Sequence, residues 1–243
     1  MRSLFLFFLF SYSTAWPQIR FLPSSVVDKP DFITVSPDLS NIPSKYHHIA
    51  DAVGRISMGC TATHIGNGLV ISAGHCFKAL PVETAGYCEG ITVNWGYRAP
   101  ETHSMVSKCL RVLIMQNVGA LDYALFQVHP YPKAYVEMEW NTQKVDGRLT
   151  TVFSHPKGRP LQWSQYCHAR YLTPAPKDPG LLYHQCDTQP GSSGAALIDA
   201  ETRRVIGIHK GGLEFPDIGV WNYGNPIHAT PLDRLIGNRR AAR

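Results

Sequence analysis

Three short motifs hold residue types that could together carry out nucleophilic catalysis. His75 follows an apolar run, on a turn with Gly74 and Cys76, and a histidine held there could serve as a general base. Ser193 lies in a turn flanked by glycines, where its hydroxyl would stand beside backbone N–H groups that could bind an oxyanion. Asp122 begins another apolar run and could orient an imidazole and stabilise its charged form. These three residue types predict a nucleophile, a general base and an orienting carboxylate.

Each motif also has a simpler interpretation when it is taken alone. A single histidine among 11 is usually structural or exposed, a Gly/Ser segment is a common turn, and an aspartate before a strand is usually a solvated turn residue. The joint pattern is more specific, because the order along the chain is His75, Asp122, Ser193, with successive members separated by 47 and 71 positions. This is the order found in two-barrel enzymes that use such a triad.

The elements that must position these residues are short strands. From about residue 48 onward, apolar runs rich in β-branched residues alternate with Gly, Pro and Asn turns, as in a sandwich or barrel. Only Pro231–Ile236 shows a trace of the helical period of about 3.6 residues, and Asn222–Asn225 is interpreted as a turn. The pattern predicts an all-β fold. The runs expected as strands are 68–72, 91–93, 109–115, 123–128, 150–153, 195–198 and 205–208.

Composition restricts the class of protein further. The chain has 243 residues, of which 44% are hydrophobic and 17% charged, so it can bury one full-sized core and is not disordered. The net charge of +5 is spread along the chain apart from the arginines of the tail, which argues against a nucleic-acid partner. After the N-terminus, no window reaches the roughly 18 apolar residues of a membrane span. No C-x-x-C spacing suggests a metal, and no cofactor is implied.

The N-terminus predicts secretion. Met1-Arg2, the apolar run Leu4–Phe10 and the small residues 13–15 form the three regions of a signal peptide, assigned to residues 1–15. A proline every six or seven residues makes residues 16–45 an extended leader that could include a propeptide. An extracellular compartment is oxidising, so the six cysteines are expected to form three disulfides, with fifteen possible pairings.

The motifs together resemble those of the trypsin-like, chymotrypsin-fold serine proteases. The resemblance is strongest to the glutamyl endopeptidase branch, through Gly59–Cys76, Asp187–Gly194 and Ile206–Gly212, and it spans about residues 46–236. It implies two six-stranded antiparallel β-barrels with a short C-terminal helix, formed by a protease domain over residues 46–243. The substrates would be proteins or peptides.

The resemblance also implies a role for each site residue. Ser193 would be the nucleophile, His75 the base and Asp122 the orienting carboxylate, while the N–H groups of Gly191 and Ser193 would form the oxyanion hole. The family's bridge to the histidine loop matches Cys60 and Cys76. Cys167 and Cys186 would brace the segment before the nucleophile, and Cys88 would pair with Cys109.

The specificity pocket carries conflicting signals. Glutamyl endopeptidases bind a substrate carboxylate with a histidine and a hydroxyl, matched here by His209 and Thr188, which implies cleavage after Glu and less readily after Asp. Asp187, however, stands where trypsins keep the acid that selects Lys or Arg. A catalytically inactive homologue that acts as a secreted binding protein is a further alternative, which the intact triad disfavours.

The resemblance also bears on activation. Ser192 replaces the aspartate that receives the new N-terminal amine in trypsin-like zymogens, so that switch cannot operate here. Some glutamyl endopeptidases place this amine near the specificity pocket, and the comparable start would be near Ser24–Val27. Activation by removal of residues 16 to about 25 is therefore a hypothesis.

Overall fold

Two antiparallel β-barrels make up most of the protein. The computed structural model describes residues 19–77, 86, 88–140, 145–172 and 180–241. The predicted signal peptide, residues 1–15, and the start of the leader lie outside the described residues. Within them, no helix is long and apolar enough to span a membrane.

The first barrel is a closed sheet of six strands. Its spatial order is β3-β4-β5-β8-β7-β6, and β6 pairs with β3 to close it. Apolar side chains such as Val70, Val93 and Phe126 fill its interior, as expected where alternate residues of a strand face inward. The strands are β3 (Val53–Ile56), β4 (Thr61–His64), β5 (Leu69–Ser72), β6 (Thr92–Trp95), β7 (Met105–Val118) and β8 (Leu121–His129).

The second barrel also has six strands, closed by pairing between β13 and β14. Two leader strands, β1 (Arg20–Leu22) and β2 (Ile33–Thr34), add to it by pairing with β13 and β10. The two barrels confirm the predicted all-β chymotrypsin-like fold. The six strands of the second barrel are β9 (Arg148–Ser154), β10 (Gln162–Arg170), β11 (Leu182–His184), β12 (Ala196–Asp199), β13 (Val205–Phe215) and β14 (Gly219–Pro226).

Two short helices flank the barrels. Helix α2 (Leu232–Ala241) agrees with the predicted C-terminal helix. Helix α1 (His47–Ala52) was not predicted, because six residues are too few to display a helical period. The interpretation of Asn222–Asn225 as a turn was wrong: these residues lie inside β14, where both asparagine side chains are fully buried and hydrogen-bonded.

One hydrophobic cluster joins the barrels. Ile71 and Leu125 of the first barrel pack in the same cluster as Phe153 and Ile208 of the second. Full burial of such a side chain stabilises the fold by about 1.5–3 kcal/mol. This shared core fixes the relative position of residues that come from different barrels.

Three disulfides cross-link the chain. They join Cys60 to Cys76, Cys88 to Cys109 and Cys167 to Cys186, with Cα–Cα distances of 6.3, 5.7 and 4.9 Å. These are the pairs that the resemblance implied. The first ties β4 to the turn that carries His75, and the third ties β10 to the segment that leads to Ser193.

Candidate active site

His75 and Asp122 form a hydrogen-bonded pair at the edge of the first barrel. His75 lies on the 3-10 turn Gly74–Phe77 after β5, and Asp122 lies in β8. The Nδ1 atom of His75 is 2.6 Å from Oδ2 of Asp122, and the backbone N–H of His75 donates to Oδ1 at 2.8 Å. Burial opposes ionisation of Asp122, but the hydrogen bonds and charge of His75 outweigh it and lower the pKa of Asp122. The carboxylate is therefore charged and holds the imidazole by its Nδ1 side.

Asn225 of the second barrel supports this pair from behind. Its Oδ1 accepts the backbone N–H of Asp122 at 2.7 Å, and its Nδ2 donates to the carbonyl of Ala120 at 2.9 Å. Lys210, whose Nζ donates to the carbonyl of Gly119 at 3.0 Å, adds a positive charge that also lowers the pKa of Asp122. No sequence signal pointed to Asn225, because 103 residues separate it from Asp122.

Ser193 lies on a loop held against the turn that carries His75. Its carbonyl accepts the N–H of Thr61 at 2.9 Å, and Thr61 is adjacent to the disulfide between Cys60 and Cys76. A side chain at Gly194 would place its Cβ 2.6 Å from the backbone nitrogen of Ala73, so only glycine permits this approach. Among the described residues, no hydrogen bond joins the Ser193 hydroxyl to His75.

The backbone amide of Gly191, one of the two predicted to bind an oxyanion, has a defined orientation. The carbonyl of Pro190 accepts the backbone N–H of Lys157 at 2.5 Å. In a trans peptide the C=O and N–H point in opposite directions, so the N–H of Gly191 faces away from Lys157. In the part of the chain that the structure describes, the N–H groups of Gly191 and Ser193 have no acceptor. Both donors are thus available to an oxyanion.

Three buried polar side chains lie near the loop of Ser193: Thr188 and Asn222, which are hydrogen-bonded to each other, and His209. The N–H of Gly194 donates to the carbonyl of His209 at 2.9 Å, which places His209 next to the nucleophile loop. The hydroxyl of Thr188 donates to Oδ1 of Asn222 at 2.8 Å. The family resemblance implied Thr188 and His209 as pocket residues, and the sequence did not single out their neighbour Asn222.

Two residues of the leader contact all three of these side chains. Oγ of Ser24 is 3.0 Å from Nε2 of His209. The N–H of Ser25 donates to Oδ1 of Asn222 at 3.0 Å and lies 3.3 Å from the hydroxyl oxygen of Thr188. Nδ2 of Asn222 donates in turn to the carbonyl of Ser25 at 2.7 Å. The Ser24-Ser25 dipeptide therefore satisfies hydrogen-bonding groups of His209, Thr188 and Asn222.

Strand β1, which precedes Ser24 in the leader, continues the contact between the leader and the second barrel by pairing with an edge of β13. Arg20, Phe21 and Leu22 pair with Glu214, Leu213 and Gly212. Strand β14 pairs with β13 from Gly207 to Phe215, so β1 must lie on the opposite edge, which β12 covers only as far as Ile208. The leader thus lies in extended form on the strand edge that begins beside Ser193.

Asp187 contacts the leader through both carboxylate oxygens. Oδ1 accepts the N–H of Val27 at 2.7 Å, and Oδ2 accepts the N–H of Asp31 at 2.9 Å. Burial, assisted by the charge of Asp187, raises the pKa of Asp31 to about 6. The acid predicted to select Lys or Arg side chains is therefore engaged by backbone donors in this form.

A second histidine lies behind His209. Nε2 of His184, on β11, is 3.1 Å from Nδ1 of His209, and both rings are fully buried. Burial lowers the pKa of His184 to about 3. Burial, followed by the neighbouring His184, also lowers the pKa of His209 well below its ordinary value. Both imidazoles are therefore neutral at pH 7.

Cysteine and histidine side chains cluster at two places in the described residues. One cluster contains His75 with Cys60 and Cys76, and the other contains His184 with Cys167 and Cys186. All four cysteines form disulfides and have no thiolate to offer a metal.

Solved structures support the fold. The chain is 18% identical to a Glu endopeptidase solved with MPD, with a TM-score of 0.64 over 90% of this chain and 100% of that one. It is 17% identical to a Mycobacterium tuberculosis H37Rv protein solved as an inactive serine-to-alanine mutant, with a TM-score of 0.55 and coverage of 84% and 91%. A thermostable serine protease from an extremophilic microorganism gives 14% identity and a TM-score of 0.56, with coverage of 74% and 93%.

Sequence comparison identifies the family. No curated protein matches the chain. The family model described as a trypsin-like peptidase domain matches residues 60–208, which is more than half of the chain. That range contains His75, Asp122, Thr188 and Ser193. The chain therefore belongs to the trypsin-like peptidase domain family.

Proposed function

We propose that this protein is a secreted serine endopeptidase in which Ser193, His75 and Asp122 form the catalytic triad. The observation that carries the proposal is the 2.6 Å contact between His75 and a buried, ionised Asp122, beside a loop that presents Ser193 and two unpaired N–H groups. Asp122 holds the proton of His75 on Nδ1, which leaves the Nε2 lone pair available to a serine proton.

The proposed reaction proceeds through an acyl-enzyme. The Ser193 hydroxyl attacks the peptide carbonyl and gives its proton to Nε2 of His75, and the N–H groups of Gly191 and Ser193 stabilise the oxyanion. The protonated His75 then transfers its proton to the leaving amine as the C–N bond breaks. Water, activated by the same imidazole, hydrolyses the ester and restores Ser193.

The contacts of the pocket favour substrates with Glu, and less readily Asp, before the scissile bond. Thr188 and His209 offer hydrogen-bonding groups in a fully buried setting, and a site built from such groups strongly rejects side chains that leave them unpaired. Cleavage after Lys or Arg would need a free carboxylate in the pocket. Both oxygens of Asp187 instead accept backbone N–H groups of the leader, which argues against that alternative.

Removal of the leader up to Ser24 would open this pocket. In the uncut chain, Ser24 contacts His209 where a substrate carboxylate would bind. Cleavage after Ser24 would free His209 and leave the new amine of Ser25 beside Asn222 and Thr188, where its positive charge would favour a carboxylate. Ser192 cannot receive this amine as an aspartate would; its hydroxyl is 3.0 Å from that of Ser154.

Labelling by a fluorophosphonate probe tests the proposal. A chain that begins at Ser25 is expected to incorporate one probe molecule at Ser193 and to cleave peptides after Glu faster than after Gln, Asp or Lys. Ser193→Ala should abolish both reactions, and Ser40→Ala, which changes a surface serine, should leave both intact. A folded chain that neither reacts nor cleaves would instead support the inactive homologue.

A further inference from the structure

Thr61 joins the loop of the candidate nucleophile to the first barrel. It is fully buried at the start of β4, and its N–H donates to the carbonyl of Ser193 at 2.9 Å. Its hydroxyl donates to the carbonyl of Gly191 at 2.8 Å and accepts the backbone N–H of His155 at 3.0 Å. Its own carbonyl accepts the hydroxyl of Ser72 at 2.8 Å. The N–H, the carbonyl and the hydroxyl of Thr61 are therefore all hydrogen-bonded.

The chemistry of the partners fixes the direction of both bonds to the hydroxyl. A backbone N–H can only donate, so His155 must donate to the oxygen of Thr61. A backbone carbonyl can only accept, so the single hydroxyl proton of Thr61 points to Gly191. A valine has nearly the same shape as a threonine but could form neither bond.

The hydroxyl of Thr61 acts on a residue whose backbone has unusual freedom. Gly191 has a φ angle of +100°, in a region that glycine adopts far more readily than other residues. The Thr61 hydroxyl binds the peptide between Gly191 and Ser192 through the Gly191 carbonyl. The peptide before it is held by the N–H of Lys157, which donates to the carbonyl of Pro190 at 2.5 Å. Both peptides that flank the Cα of Gly191 are thus fixed from outside the loop.

Thr61 also links the nucleophile loop to the turn of the candidate base. Cys60 precedes Thr61 in the chain, and its disulfide to Cys76 ties it to the residue that follows His75. Thr61 is therefore joined covalently to the turn of His75 and by hydrogen bonds to the loop of Ser193. A shift of the loop relative to the base would break the bonds to Thr61.

We propose that Thr61 is a positioning residue whose hydroxyl holds the backbone of Gly191 in the orientation that binds the oxyanion. This inference rests on the proposed function, because an oxyanion forms only if Ser193 attacks a carbonyl. The oxyanion exists in the transition state and not in the bound substrate. Loss of the Thr61 hydroxyl should therefore lower kcat and leave KM nearly unchanged.

Two substitutions in the chain that begins at Ser25 test the role of the hydroxyl. Thr61→Val should lower kcat for Glu peptides by about ten- to a hundredfold, less than the roughly 10²- to 10³-fold loss that follows removal of an oxyanion donor. The rate of Ser193 phosphonylation should fall in parallel, since the phosphonyl oxygen of the probe takes the place of the oxyanion. Thr61→Ser keeps the hydroxyl and should recover most of both rates.

Thr151→Val provides a matched control for the loss of buried hydrogen bonds. Thr151 is fully buried in the second barrel, and its hydroxyl donates to the carbonyl of Gln165 at 2.7 Å and accepts the indole N–H of Trp163 at 2.6 Å. The substitution removes the same two kinds of bond, so urea titration should show a similar loss of stability. Both rates should stay unchanged. Equal losses of kcat in Thr61→Val and Thr151→Val would refute the proposal.

Nitrogen-15 relaxation of the Gly191 amide tests the positioning without any substrate. Its order parameter should fall in Thr61→Val and stay unchanged in Thr151→Val. An unchanged order parameter, or an unchanged kcat in a folded Thr61→Val variant, would overturn the proposal. If Thr61→Val does not fold, Thr61→Ser decides, because a loss of kcat of about tenfold or more with the hydroxyl in place would contradict the role assigned to it. If the unmodified protein neither reacts with the probe nor cleaves peptides, the proposed protease function fails, while the relaxation data still test whether Thr61 orders Gly191.

Discussion

Release of the leader should raise the activity of the protein strongly. Two chains are compared: one begins at Ile19 and keeps β1, and the other begins at Ser25 and lacks it. In the first, Ser24 fills the contact to His209 and β1 covers the adjoining edge of β13. In the second, both contacts are gone, but the bonds from Asp187 to Val27 and Asp31 remain and keep the rest of the segment in place.

The size of the effect follows from the contacts that a substrate must displace. Strand β1 forms three residue pairs with β13, and Ser24 adds one hydrogen bond. At about 1 kcal/mol net for each, docking of the leader is worth about 3–4 kcal/mol. Because 1.4 kcal/mol corresponds to about a factor of ten, kcat/KM should be roughly 100- to 1,000-fold lower in the longer chain.

The assay is hydrolysis of a chromogenic peptide with Glu before the scissile bond. Near-UV circular dichroism should show the same fold in both chains, and Ser193→Ala in the shorter chain provides the blank. A synthetic peptide with the sequence of Arg20–Ser24, added to the shorter chain, should inhibit competitively. Equal kcat/KM values for the two folded chains would refute the interpretation of β1 and Ser24 as a block on the site.

Three further predictions concern the triad, the cross-links and pH. Asn225→Ala leaves the buried N–H of Asp122 without an acceptor, so kcat should fall by about tenfold or more while KM for Glu peptides changes little, as steady-state kinetics will show. Replacing both Cys88 and Cys109 by Ser opens a loop closed over 21 residues and should cost about 3 kcal/mol in the free energy of unfolding, measured by urea titration. The pKa of Asp31 is raised from 3.8 to about 6 when its segment of the leader is docked beside Asp187. Docking is therefore most favourable below pH 3.8 and weakens as the pH rises to about 6. Limited proteolysis of the leader should therefore accelerate between about pH 4 and 6, and Asp31→Asn should remove that dependence.

Local sequence motifs were enough to predict His75, Asp122 and Ser193 as candidate site residues. His75, Asp122 and Ser193 each lie in a short motif whose neighbours have a local function, such as the close approach required at Gly194. An all-β fold could be predicted because the strands are short, apolar and separated by turns, whereas the two barrels were implied by the family resemblance. The disulfide pairs came from the family resemblance, since fifteen pairings fit the count alone.

Contacts between distant segments could not be predicted. Asn222 and Asn225 resemble turn residues in sequence, and only the pairing of β14 with β13 and β11 shows that they are buried. His184 becomes visible only when β11 is placed behind His209. The role of Asp187 depended on the path of the leader, because its partners Val27 and Asp31 lie more than 150 residues away.

The most direct test of the proposed activity is a map of cut bonds. A denatured protein mixture is digested with the chain that begins at Ser25, beside its Ser193→Ala variant, and every new terminus is identified by mass spectrometry. Cuts should concentrate after Glu, with fewer after Asp, and should be absent with the variant. Cuts that follow Lys or Arg, or a cut pattern that persists in Ser193→Ala, would contradict the assignment of the pocket or of the nucleophile.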